Sequence, residues 1–137
     1  MRHSGRRGQY RRGATAVEMA VVGPIALLLV LGLIVAALGV FRFQQVCRLA
    51  QEGARWASIR GEEWEDLTHS RPITSEDVYR QAILPLAGGL NTSYLTSEVN
   101  WNEERTLVHV TVRYRWLPEA FLSGSTITAT TARPVLF

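Results

Sequence analysis

The hydrophobic pattern of the chain changes period several times, and each change marks an element. Residues 19–41 form 23 consecutive positions without a charged, amide or hydroxyl side chain. As a helix rising 1.5 Å per residue this run is about 34 Å long, more than a hydrocarbon core of roughly 30 Å. The pattern predicts a transmembrane helix over 19–41. Gly23, Pro24, Gly32 and Gly39 are tolerated there because lipid offers the backbone no competing water, and Pro24 is placed to kink the first turns. Past the run, Phe43, Val46, Ala50, Gly53 (or Ala54) and Ala57 recur at steps of three and four, so the helix continues to about Ser58 with a narrow stripe of mostly small residues. Arg48, Glu52 and Arg55 lie off that stripe at ion-pair spacing. The stripe can meet another subunit, but packing on the protein's own sheet is the expected use.

A loop is expected over 61–72, with the acidic run Glu62, Glu63, Glu65 and Asp66 broken by Trp64 and followed by His69. Carboxylates near a histidine raise the question of a metal, but the order has no recognised ligand spacing, and a solvated acidic loop is the reading. Thr74 or Ser75 can cap a second helix running to about Leu86, with Glu76 and Asp77 in its first turn, Pro85 near its end and Gly88 and Gly89 stopping it. The period then becomes two. Leu95, Ser97, Val99 and Trp101 alternate with Thr96, Glu98 and Asn100, and Val108, Val110, Val112, Tyr114 and Trp116 alternate with His109, Thr111, Arg113 and Arg115. Residues 102–105 are the hairpin turn, and a Thr-rich third strand covers 126–132. The fold class is α+β: a long N-terminal transmembrane helix (14–60) continuing into a small extracytoplasmic domain (61–137) with a second helix and a three-stranded antiparallel sheet.

Composition narrows the function. The 137 residues allow one domain, and about 96 remain for its water-facing part, too few for a multidomain enzyme. The net charge of +3 is unevenly spread. Arg2, Arg6, Arg7, Arg11 and Arg12 make a basic leader over 1–13 without an acid, whereas ten Arg from Arg42 onward face eleven Asp and Glu. A basic tail on a near-neutral domain argues against a nucleic-acid partner. Five Arg before the apolar run against three (Arg42, Arg48, Arg55) soon after it favour a cytoplasmic N-terminus. Cys47 is the only cysteine and reads as a small apolar helix residue. His109 sits on the polar strand face without a nucleophile motif nearby, and no phosphate loop appears. No cofactor, metal, small-molecule substrate or enzymatic activity is expected.

Glu18 stands directly against the apolar run, after Ala14, Thr15, Ala16 and Val17. A charge well inside a bilayer costs about 2.5 to 3.5 kcal/mol, while a carboxylate at a helix N-terminus gains up to about 1 kcal/mol, so an interfacial capping role is one reading. The other comes from what precedes it. Arg11-Arg12-Gly13-Ala14-Thr15-Ala16-Val17-Glu18 resembles a type IV prepilin processing site: basic leader, Gly, cleavage, then Glu as fifth residue of the mature chain. Cleavage after Gly13 would leave ten Arg against twelve acids and create an amine on Ala14. The likeness narrows with Gly13, Val17-Glu18, Pro24, the apolar run and Glu52-Gly53-Ala54-Arg55-Trp56-Ala57, which together resemble the TadE-like family of tight-adherence (Tad, Flp-type) pilus systems over residues 12–60. Met19 stands where the family usually has an aromatic residue, Trp56 where Tyr is common, and Gln51 interrupts the Ala-Arg-Glu pattern.

That resemblance implies a pilin-like architecture and a pseudopilin or minor pilin at the bacterial inner membrane. The domain would face the periplasm or exterior, and the subunit could enter a pilus and serve cell adhesion. Gly13 and Ala14 would flank the processing site, and Glu18 would act in subunit assembly by pairing with a neighbour's amine. The implied partners are a prepilin peptidase, other pilins or pseudopilins and the Tad assembly platform. Two rivals remain. One is an uncleaved single-pass protein with an extracytoplasmic protein-binding domain. The other is a secreted hydrolase whose signal peptide ends at Ala37-Leu38-Gly39.

Overall fold

A computed structural model describes residues 7–60, 71–117 and 124–136, with only the backbone of 7–14. The expected leader residues 1–6, the acidic run 62–66, His69 and most of the 117–124 connection lie outside the described residues. Helix α1, Arg7–Ser58, runs through Pro24. It therefore takes in part of the basic leader, which the apolar pattern alone did not mark as helical. By contacts the chain divides at residue 38 into two units, 1–38 and 39–137.

In the first unit the described apolar side chains are exposed, apart from the half-buried Val35. Val17, Met19, Leu27, Leu28, Leu29 and Leu33 are among those largely exposed, and nothing in the most apolar window is buried. Each large apolar side chain taken out of water contributes about 1.5 to 3 kcal/mol, so this helix withholds tens of kcal/mol from an aqueous chain. It is long and apolar enough to cross a membrane.

In the second unit the last five turns of α1 pack on a sheet. Val46, Leu49, Ala50, Ala54 and Ala57 are buried with Val78, Ala82, Ile83, Val108, Val110, Val112, Tyr114 and Ala129. The stripe thus serves the protein's own core. At Gly53 a Cβ would stand 3.2 Å from Val110 Cγ1 and 3.4 Å from Ile83 Cδ1, so the absent side chain lets helix and sheet meet. Two positions differ from the sequence pattern: Leu49 joins the core, and Phe43 remains half exposed. At 100° per residue Leu49 falls on the flank shared with Trp56, both of which the core cluster takes up.

Strands β1 (Leu95–Trp101), β2 (Leu107–Trp116) and β3 (Ser125–Pro134) form an antiparallel sheet in sequence order. Leu95 pairs with Tyr114 and Trp101 with Val108, while Val112 pairs with Ala129 and Trp116 with Ser125. Burial alternates along β2 as the period of two demands. The β1–β2 turn is closed by Asn102, whose Oδ1 accepts from the Leu107 backbone N–H at 2.8 Å and whose Nδ2 donates to Thr106 Oγ1 at 2.8 Å. Arg105 takes φ 50°, the left-handed conformation such a turn requires.

The second helix begins where expected and then departs from α geometry. Helix α2 covers Ser75–Val78, a π turn follows over Tyr79–Ile83, and a 3-10 turn over Leu84–Leu86. Pro85 explains the sequence of turns. It has no N–H, and in α geometry its ring would strike the carbonyl four residues earlier. The Leu84 N–H instead reaches Tyr79 O, five residues back, which widens the coil ahead of the proline.

Candidate functional site

The candidate residues expected from the sequence lie at the start of α1. Gly13 and Ala14 lie in helical backbone. Glu18, four residues past Ala14, is one helical turn further along the same face, about 6 Å up the axis. It is exposed, and among the described residues no cation forms an ion pair with it. The structure therefore presents one carboxylate at the edge of an apolar, uncovered helix. Such a carboxylate is a candidate for pairing with a positive charge, because a carboxylate carried toward lipid is stabilised by any cation that accompanies it.

The second unit holds its polar groups in structural roles. Thr74 and Asp77 form a reciprocal cap: Asp77 Oδ2 accepts from the Thr74 N–H at 3.0 Å and from its hydroxyl at 2.7 Å, and Thr74 Oγ1 accepts from the Asp77 N–H at 3.4 Å. Arg71 Nη2 donates to Asp77 Oδ1 at 2.7 Å. The Thr74 hydroxyl first, then its N–H and the Arg71 charge, hold the Asp77 carboxyl below its ordinary 3.8. Glu52 and Arg55 approach at 3.9 Å, and Arg80 pairs with Glu76, both exposed surface pairs of small energetic weight.

Residues that would carry other chemistry stand apart. His109 is exposed on the outer face of β2 opposite Asn100 and Ala132, and Cys47 is half-buried against the helix side of the core. Among the described residues no three His, Cys, Asp or Glu side chains are grouped to hold a metal. A shallow groove lined by Ser75, Glu76, Tyr79, Leu95, Thr96 and Ser97 is open to solvent. It contains no paired acid and base.

Two contacts escaped the sequence pattern. Arg42 Nη1 donates to Gly89 O at 2.6 Å and to Gln45 Oε1 at 2.9 Å, and the Trp116 ring lies against Gly39, 3.1 Å from where a Cβ would be. A glycine late in an apolar run was the available signal for the second, since it invites an aromatic neighbour.

Residues 13–55 match the family model described as TadE-like protein, the family whose motifs the sequence resembles. The match begins at Gly13, includes Glu18 and ends in the helix that packs on the sheet. No curated protein and no solved structure matches the chain.

Proposed function

We propose that this chain is a TadE-like pseudopilin or minor pilin that acts in assembly of a tight-adherence pilus, by packing with other subunits and not by catalysis. The single observation that carries this reading is Glu18, an exposed carboxylate without an ion-pair partner among the described residues, on an uncovered apolar helix at the spacing from Gly13 that the family match includes. Removal of residues 1–13 by a prepilin peptidase frees the Ala14 amine. That amine is the complementary charge for Glu18 of a neighbouring subunit, and pairing offsets the desolvation of both as helices pack in lipid or in a fibre. The apolar stretch 19–41 crosses the bacterial inner membrane once, with the leader cytoplasmic and the α+β domain on the opposite side. Other pilins or pseudopilins and the Tad assembly platform are the partners.

Intact mass and N-terminal sequencing of the membrane-extracted protein from its native host, beside a Gly13→Ala variant, test the reading. A native chain beginning at Ala14, with the variant unprocessed, is expected. A native chain that retains Arg2 to Gly13 overturns the processing step, returns Glu18 to an interfacial carboxylate and leaves an uncleaved anchor with a binding domain.

A further inference from the structure

One end of the α+β domain carries an apolar and cationic rim that its own packing leaves open. Two contacts set its level: Gly53 faces Val110, and Gly39 faces Trp116. Between them lie about 21 Å of helix at 1.5 Å per residue and about 20 Å of strand at 3.3 Å per residue. β2 therefore runs along α1, and both can be read against one ruler. Gly39 belongs to the apolar run that ends at Phe41, so Trp116 stands level with the end of the membrane-spanning stretch. Arg42 and Phe43 lie within about 6 Å of Gly39 along the helix. Arg115 and Leu117 adjoin Trp116, and Tyr94 precedes Leu95, which pairs with Tyr114, about 7 Å up the strand from Trp116. All six fall in a slab about 10 Å deep, close to the headgroup layer of roughly 5 to 8 Å that flanks a hydrocarbon core.

The chemistry of the rim matches that layer. Phe43 is 50% exposed, Tyr94 39% and Leu117 44%, with Trp116 half-buried beside them. Tyr and Trp favour the membrane interface because an apolar ring and a polar edge are both satisfied there. Neither Arg42 nor Arg115 has a carboxylate partner among the described residues. Residues 81–97 contain no charged side chain, and the Arg42 bond holds Gly89 of that segment at the rim. Glu103 and Glu104 lie in the β1–β2 turn, at the opposite end of the sheet.

We infer that this rim is a membrane-docking surface that seats the domain on the phospholipid headgroups next to its own anchor. The aromatic rings and Leu117 enter the headgroup and upper acyl region, and Arg42 and Arg115 meet lipid phosphates. The proposal rests on residues 19–41 spanning the membrane, so its test reports on both. The full chain carrying Cys47→Ser receives one cysteine at a time, through Leu117→Cys, Tyr94→Cys, Phe43→Cys, Glu103→Cys or Leu31→Cys. Each is labelled with a fluorophore and reconstituted in phosphatidylcholine and phosphatidylglycerol vesicles containing lipids with a nitroxide quencher at the headgroup or at mid-chain. Circular dichroism confirms that each variant is folded. Expected are loss of emission at positions 117, 94 and 43 with the headgroup quencher, loss at 31 with the mid-chain quencher, and none at 103. Quenching at 31 without quenching at 117, 94 and 43 overturns the docking surface and leaves that rim to a protein partner. Absence of quenching at 31 overturns the spanning reading on which it rests.

Discussion

Valine at position 53 tests the contact that organises the α+β domain. A Cβ at Gly53 already comes within 3.2 Å of Val110 Cγ1 and 3.4 Å of Ile83 Cδ1 and Cγ1, inside the optimum of roughly 3.5 to 4.0 Å for carbon pairs. Gly53→Val adds two further methyl groups toward the same neighbours, and overpacking of a dense core costs about 1 to 3 kcal/mol. Valine regains a few tenths of a kcal/mol in helix propensity over glycine, leaving a net loss of about 1 to 2 kcal/mol. Val110 is fully buried, and Val110→Ala removes two methyl groups, worth about 0.8 kcal/mol each plus a cavity contribution, in all about 2 to 3 kcal/mol. If the helix and β2 touch as described, the added methyls fill the space that Val110→Ala opens. The double variant then loses less than the two single losses combined, by about 1 kcal/mol or more. Denaturant unfolding of the full chain in detergent micelles, followed by tryptophan emission, measures all four species. Additivity within about 0.5 kcal/mol, or a Gly53→Val protein as stable as the parent, would refute the direct contact.

The remaining predictions concern polar groups of the same domain. Asp77 has its carboxyl held below the ordinary 3.8 by Thr74 and Arg71. Its contribution is therefore fully present above the unfolded value and is lost as pH falls through the lower folded one. Melting temperatures measured from neutral pH down to below that value should show Asp77→Asn with a shallower acid decline than the parent, and an unchanged decline would count against the capping geometry. Ser97 Oγ is buried without a hydrogen-bond partner among the described residues, a cost of about 1 to 3 kcal/mol for an unsatisfied polar group. Ser97→Ala should be neutral or stabilising by up to about 1 kcal/mol in thermal unfolding, and a clear loss would mean that the hydroxyl has a partner.

The sequence by itself determined the elements whose signal is local. The apolar run at 19–41 was legible as a helix long and apolar enough to cross a membrane, because in lipid the backbone polar groups of such a stretch find partners only within the helix. Thr74 as a cap, the alternation along 95–101 and 108–116 and the turn at 102–105 were legible because side-chain period and capping chemistry act over a few residues. Glu18 stood out as a candidate for the same reason: a single carboxylate breaks an otherwise apolar pattern near a Gly and a basic leader. Tertiary structure decided what depends on residues far apart in the chain. Leu49 enters the core and Phe43 stays open because of where the sheet lies, which no helical period records. The coil before Pro85 widens to a π turn while Ala82 and Ile83 stay buried in the core. Gly53 and Gly39 acquire meaning only when Val110 and Trp116 arrive opposite them. Those two contacts align the strand with the helix, and only that alignment brings Arg42, Tyr94 and Leu117 to one level, since a shared surface is a property of distances in space and not of spacing along the chain.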